Sequence, residues 1–304
     1  DFRLIWLAGL FSSAGSEVSR LALMLHLVRL DHGAAAIALW IGLRSLPGIL
    51  AAPWIGPVVD RYDRKRLLIL ADLVRAVALA IVAFQPTLPV ILAAVLFESI
   101  ATAIFDPSRR SVVPQVVPAN QLEQANSLDQ TTSTVILIAG PAIGAKLFLL
   151  LGIQPALLVD AASYLISALF LTGAEIVTPP GVIQRQRNAP AIWGSDLAAS
   201  WSAVKFNPRV RCLIVVQFIS LLCTGLWAPL APAFIRDFLH APESQLGWQF
   251  SAFGAGGAAG AVIASRLPES WPRGRLILSA LFLESLHMVV YSLTPNVPLS
   301  LLCL

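Results

Sequence analysis

A chain of 304 residues with 57% hydrophobic and only 12% charged side chains, at a mean hydropathy of +0.77, has too little polar surface to solvate a water-soluble globule, since soluble domains carry about 25% charged residues. The formal charge of +4 would admit a nucleic-acid partner, but the placement of the basic residues argues against one. Cys212, Cys223 and Cys303 stand singly, and His26, His32, His240 and His287 fall in no metal-binding spacing, so neither a disulfide framework, nor a metal, nor any cofactor is expected.

The apolar residues come in blocks of roughly 18–25, the length a helix needs to cross about 30 Å of hydrocarbon. The blocks predict spans at Leu4–Leu27, Ala34–Pro57, Leu67–Phe84, Leu88–Ile104, Leu128–Ile153, Pro155–Ile176, Cys212–Phe234, Gln245–Ile263 and Leu276–Leu293, with a tenth beginning at Pro298. Membrane β-barrels alternate over segments of about ten residues, and no such alternation occurs. The first block is too long for a signal peptide, lacks a small-residue cleavage site and is followed by further spans. A start at Asp1 and an end within the tenth block lead us to expect more chain on both sides in the natural protein.

Turn chemistry marks the joints: Asp31-His32-Gly33, Gln85-Pro86-Thr87, Gly152-Ile153-Gln154-Pro155 and Thr294-Pro295-Asn296. The loops after spans two, four, six and eight hold fourteen Lys and Arg residues, against Arg29 and Arg236 alone in the alternate loops. By the positive-inside rule the even-numbered loops are cytoplasmic, and so is the amino terminus. The basic excess is therefore a topology signal, and no nucleic acid is expected. The longest polar stretch, Val177–Arg211, follows the sixth span. It opens on Pro179-Pro180-Gly181 and continues into a segment capped by Ser195-Asp196, with Leu197, Trp201 and Val204 on one face, an interfacial amphipathic helix. The predicted organisation is a six-helix bundle over 1–176, a cytoplasmic linker over 177–211 and a partial second bundle over 212–304.

The stretch Gly56-Pro57-Val58-Val59-Asp60-Arg61-Tyr62-Asp63-Arg64-Lys65-Arg66 resembles the major facilitator signature G-x-x-x-D-R-x-x-R-[RK]. Physically, Gly56 allows close helix approach. Asp60 can accept from a helix amino terminus in the other lobe, with Arg61 beside it and Arg64 able to pair across the same joint. The competing reading is a solvated basic loop that only sets topology, and it suits Lys65 and Arg66 better. Gly140-Pro141-Ala142-Ile143-Gly144-Ala145 is similar to the end of the antiporter motif of facilitators. Pro141 removes a backbone hydrogen bond, while Gly140 and Gly144 let a neighbour pack close. Ordinary small-residue packing explains these residues equally well. Phe105-Asp106-Pro107-Ser108-Arg109-Arg110 through Ala125-Asn126-Ser127-Leu128 looks like a loop of the macrolide- and siderophore-exporter branch, as does Asp160-Ala161-Ala162-Ser163-Tyr164 in span six.

The resemblance covers essentially the whole chain. It implies a major facilitator fold in the bacterial plasma (inner) membrane, and alternating-access efflux of amphipathic drug-, macrolide- or siderophore-like molecules coupled to protons, by a monomer. An importer or uniporter of the same fold and a non-transporting remnant remain as alternatives. An intramembrane enzyme would need G-x-G-D, a His–Asp pair or a Ser–Lys dyad at one depth, and none is present. Ionisable residues within spans are functional candidates by default: Glu17, Arg20, Arg44, Asp72, Arg75, Glu98, Asp129, Lys146, Asp160 and Glu284. Asp72 and Arg75, three apart, can satisfy each other, and Lys146 can snorkel outward. Glu17 lies roughly 20 Å into span one and Glu98 roughly 15 Å into span four, so both reach the middle of the bilayer. Arg20 can pair with Glu17, leaving Glu98 as the less compensated acid and the expected proton carrier.

Overall fold

The computed structural model describes residues 1–30, 33–176, 202, 204–268 and 271–304, except for the side chains of residues 33, 49, 52–54, 56, 57, 60, 61, 209, 223, 224, 226 and 273. Among the described residues the fold is all-helical: α1 Phe2–Arg29, α2 Gly33–Arg61, α3 Arg64–Phe84, α4 Leu88–Val116, α5 Leu122–Leu151, α6 Ile153–Gly173, α7 Pro208–Ala233, α8 Gln245–Ser265, α9 Arg273–Ser292 and α10 Val297–Cys303. Most of the predicted linker segment, including Ser195, Asp196, Leu197 and Trp201, lies outside the described residues.

Local chemistry sets the joints. Between α2 and α3 the chain turns in two residues, and the Asp63 carboxylate caps α3 by accepting from the Arg66 amide at 2.8 Å. Gly152 alone separates α5 from α6 at φ 85°, a left-handed conformation that glycine adopts without a Cβ penalty. Pro89 sits in the first turn of α4, where no intrahelical donor is lost. Two loops expected from sequence turn out helical. α4 runs twelve residues past Ile104 to Val116 with Pro107 and Pro114 inside it, and Ser108 Oγ donates to the Ile104 carbonyl at 2.7 Å beside the Pro107 interruption. α2 likewise continues through Asp60 to Arg61. Helical backbone hydrogen bonding persists beyond the apolar run that marks each span.

Among the described residues six helices are long and apolar enough to cross a membrane: Arg64–Phe84, Leu88–Val116, Ala119–Leu151, Ile153–Gly173, Val210–Phe238 and Gly274–Ser292. The sequence reading counts nine, and α1, α2 and α8 fall short by that measure. α1 carries Arg3, Glu17, Arg20 and Arg29 among several serines, and α8 is diluted by its glycines and by Gln245 and Gln249. The described apolar stretch of α2 is Ala34–Gly48.

α1 packs between α6 and α5, α3 lies between α6 and α4, α2 lies on α4, and α5 turns another face to α8. Two apolar clusters result. One gathers Leu21, Leu25, Leu27, Ile37, Trp40, Leu79, Ile91, Phe148, Leu157 and Tyr164. The other gathers Ile5, Ala8, Leu68, Ala71, Phe105, Val112 and Leu171. Between them, at matching heights on α1, α3, α4 and α6, lies a layer of buried polar side chains: Ser12 and Ser19, Asp72 and Arg75, Glu98 and Ser99, Asp160 and Ser163. The opposite faces expose Leu150, Leu169 and Phe84, as lipid-facing surfaces do.

Candidate functional site

The polar layer is built from helix-to-helix contacts that satisfy its buried groups, as burial away from water requires. Asp72 on α3 pairs with Arg75 one turn on and accepts from Ser167 Oγ of α6 at 2.7 Å. The Arg75 guanidinium lies over Phe105 at 4.2 Å and over Tyr164 at 4.4 Å, a cation–π clamp joining α3, α4 and α6. The i,i+3 spacing had announced the pair, but not its aromatic seat. Asp160 on α6 is fully buried and accepts from Ser19 Oγ of α1 and from Ser163 Oγ. Gly15 makes this approach possible, because a Cβ there would run into Ser163 Oγ and Asp160 Oδ1.

Glu17 and Arg20 pair on α1, and the Arg20 guanidinium reaches over the Phe250 ring of α8 at 5.3 Å. Glu98 has partners that the sequence reading did not name. Arg44 Nη1 of α2 approaches Glu98 Oε1 at 3.4 Å and Tyr164 Oη donates to the same oxygen at 3.3 Å, a looser engagement than the Glu17–Arg20 pair. Spacing along one helix cannot reveal this partner, which arrives through the α2–α4 packing. Ser16 Oγ lies 2.8 Å from Tyr164 Oη. A cavity of about 340 Å³ adjoins the layer, lined in part by Ser16, Glu17, Arg44, Arg75, Asp106 and Arg109. Glu98 is set behind that wall.

Beyond the layer, Arg109 pairs with Asp129 of α5, two residues that sequence reading assigned to separate roles. Gly9 leaves the space that the Arg109 guanidinium occupies. The side chains of Gly56, Asp60 and Arg61 lie outside the description, whereas Arg64 is described and buried at the start of α3. Lys65 does more than mark topology: its ammonium donates to the Thr172 and Ala174 carbonyls at 2.7 and 2.8 Å, closing the end of α6. Lys146 is exposed, as its long stem permits. Glu284 on α9 accepts from Ser220 of α7 at 2.9 Å.

Gly140, Pro141 and Gly144 lie where α5 meets two helices at once. A Cβ on Gly140 would stand 2.6 Å from Glu17 Cβ, and one on Gly144 2.7 Å from the Val18 carbonyl oxygen. On the other side, α8 brings Gly247 against Ala145 and the Pro141 carbonyl, and Gly254 against the Leu137 carbonyl. At the Arg29 end of the bundle, Arg29 Nε bonds Glu243 Oε2 at 2.9 Å and its guanidinium lies 4.7 Å over Phe148.

Ser16, Tyr164 and the Arg44–Glu98 pair were not assembled from sequence. A signal was present: Ser12, Ser16 and Ser19 fall on one face of α1, and Asp160 and Tyr164 fall one turn apart on α6.

Comparison with known proteins agrees with this architecture. The chain is similar to Macrolide efflux protein A of Streptococcus pyogenes, 24% identical over 300 residues covering 97% of this chain and 73% of that one. It is also similar to Macrolide efflux protein A of Enterococcus faecalis, 25% identical over 269 residues covering 87% and 82%. Among solved structures it superposes on the nucleoside transporter NupG with a TM-score of 0.66 at 14% identity, over 99% of this chain and 77% of that one. The family model described as Major Facilitator Superfamily matches residues 5–304, and the chain, a membrane transporter by fold and not an enzyme, belongs to that superfamily.

Proposed function

We propose that the protein exports amphipathic small molecules, macrolides among them, by alternating access coupled to inward proton movement. The observation that carries this reading is the Arg44–Glu98 pair at the edge of the cavity. Protonating Glu98 removes the charge that holds Arg44. The guanidinium, already on the cavity wall, is then free to change how the cavity receives substrate. One proton event thereby becomes a change in the binding surface. The names of the macrolide-exporting relatives support the direction and the substrate class. In this reading Glu17 and Arg20 orient substrate between α1 and α8. The Asp60–Arg64 turn latches the cytoplasmic side, and the Gly140, Pro141 and Gly144 stretch lets α5 slide against α1 and α8.

The same proposal covers topology. All nine predicted helices cross the bacterial inner membrane, α1 and α2 with their polar layer shielded inside the bundle, and residues 1–176 and 212–304 form separate lobes. The amino terminus and the 177–211 linker face the cytoplasm, and the protein acts as a monomer in the lipid bilayer. The test is Glu98→Gln in inverted vesicles given a pH gradient and a fluorescent macrolide. Gradient-driven uptake into the vesicles should collapse while detergent-phase macrolide binding persists. Unchanged gradient-driven uptake would remove Glu98 from the coupling step.

A further inference from the structure

Glu98 is 4% exposed and is not among the cavity-lining residues, whereas Ser16 is. Two hydroxyls bridge the gap. Ser16 Oγ stands 2.8 Å from Tyr164 Oη, and Tyr164 Oη donates to Glu98 Oε1 at 3.3 Å. We propose that Ser16 and Tyr164 form the proton route between the cavity and Glu98. The inference rests on the proton-coupled reading above and names the residues that would carry the proton.

The step balances. A hydronium ion in the cavity gives its proton to Ser16 Oγ as the Ser16 proton passes to Tyr164 Oη and the Tyr164 proton passes to Glu98 Oε1. Each hydroxyl ends with the one proton it began with, and Glu98 gains one. Ser16 Oγ donates to the Ser12 carbonyl at 2.7 Å, so a rotation of the hydroxyl about its Cβ–Oγ bond turns that proton toward Tyr164 while Oγ stays in place. The tyrosine needs no such movement, because its ring is held by the Arg75 guanidinium at 4.4 Å and is fully buried.

The charged groups around Glu98 fit a short, directed route. Arg44 faces it from α2, Asp160 acts on it from α6, and Arg75 and Asp160 act on the connecting Tyr164. Glu17 on α1 acts on Arg44 from the cavity side. Arg44 has no hydroxyl to pass and keeps its proton at any physiological pH, so the guanidinium cannot serve as the relay. Asp160 is engaged by Ser19 and Ser163. The Ser16–Tyr164 pair is the continuous hydroxyl chain from cavity to Glu98 among the described residues.

Tyr164→Phe removes one oxygen and keeps the ring that Arg75 packs on, and Ser16→Ala removes the other hydroxyl. In proteoliposomes, each should lower pH-gradient-driven macrolide efflux by about tenfold or more. Macrolide binding in detergent should hold in Tyr164→Phe, whose ring is buried and does not line the cavity, the double variant should fall no further than either single one, and Ser16→Thr should restore the rate. After a pH jump, growth of the infrared carboxylic-acid band that Glu98→Gln abolishes should slow in Tyr164→Phe. If Glu98→Gln loses gradient-driven efflux while Tyr164→Phe and Ser16→Ala keep the unmodified rate and band kinetics, the relay is overturned and the coupling role of Glu98 stands. If Glu98→Gln itself keeps gradient-driven efflux, both fall.

Discussion

Arg44 and Glu98 straddle the cavity wall, with the arginine side chain 30% exposed and the carboxylate 5% exposed. Such a pair is asymmetric. Losing the acid leaves a cation that solvent can reach, whereas losing the cation leaves a buried carboxylate with only the Tyr164 hydroxyl. Breaking a buried pair from one side costs about 3–5 kcal/mol. Arg44→Gln is therefore expected to lower the melting temperature in detergent more than Glu98→Gln does. Arg44→Gln combined with Glu98→Gln should recover most of that loss. A double variant as unstable as Arg44→Gln alone would mean that the residues do not act on each other.

Asp72 should behave as a purely structural acid. It is fully buried, paired with Arg75 and bonded to Ser167. Asp72→Asn leaves Arg75 buried against two rings without its counter-charge, and a destabilisation of about 3 kcal/mol is expected. Denaturant or thermal unfolding in detergent measures it. The pH-gradient dependence of whatever protein remains folded should match that of the unmodified protein, which separates Asp72 from Glu98.

How far the sequence could be read follows from which interactions run along one helix. Glu17–Arg20 and Asp72–Arg75 were legible because i,i+3 neighbours must share a face. Six of the predicted spans were legible because hydrocarbon demands long apolar runs. The Arg44–Glu98, Arg109–Asp129 and Ser19–Asp160 contacts each join two helices. Rotational setting and helix height decide those partners, and neither leaves a periodic trace. The ends of α2 and α4 were misjudged because hydropathy stops at the membrane surface while backbone hydrogen bonding continues.

Glycine substitutions on α5 should rank by what the new methyl meets. Gly144→Ala drives a Cβ to 2.7 Å from a backbone oxygen of α1, which cannot yield without moving the helix. Gly140→Ala meets the Glu17 Cβ at 2.6 Å but no other atom under 3.0 Å, whereas the Gly144 methyl also stands 2.9 Å from Val18 Cα. Overpacking of this kind costs about 1–3 kcal/mol. The expected order of thermal stability is unmodified, then Gly140→Ala, then Gly144→Ala. Gly254→Ala, aimed at the Leu137 carbonyl at 2.9 Å, should weaken the α5–α8 contact instead. An increase in the rate at which a cysteine on that seam is alkylated would register the effect.

Sidedness is open to direct labelling. In a background with Cys212, Cys223 and Cys303 replaced, single cysteines at the exposed Arg66 and Arg110 should react with an impermeant maleimide only in inverted vesicles. Cysteines at Thr87 and Glu243 should react only in intact cells. The fourteen-to-two partition of basic loop residues motivates this assignment. Reaction of position 87 from the cytoplasmic face would invert the arrangement.

Arg29 and Glu243 lie at the opposite end of the bundle from the Asp60–Arg64 turn. Arg29 ends α1, Glu243 precedes α8, and their 2.9 Å bond joins helices on either side of the predicted linker. The two side chains are 46% and 36% exposed, so the bond itself contributes about 0–1 kcal/mol. Its consequence for an equilibrium between two conformations is larger than its consequence for stability, because a contact present in one state and absent from the other biases the ratio by its full value. Glu243→Gln should therefore leave the melting temperature within a degree or two and still shift the protein toward a state open at this end. In a background with the three native cysteines replaced, spin labels at Ala34 and Pro242, flanking the pair, would report that shift as a longer distance component in pulsed electron resonance. Exchanging the charges through Arg29→Glu with Glu243→Arg should restore the unmodified distribution, while Arg29→Glu alone should move it further outward than Glu243→Gln. Arg29 also lies over Phe148, so an incomplete return in the exchanged pair measures that cation–π contact. Distance distributions identical in all four proteins would show that the pair does not bias the opening.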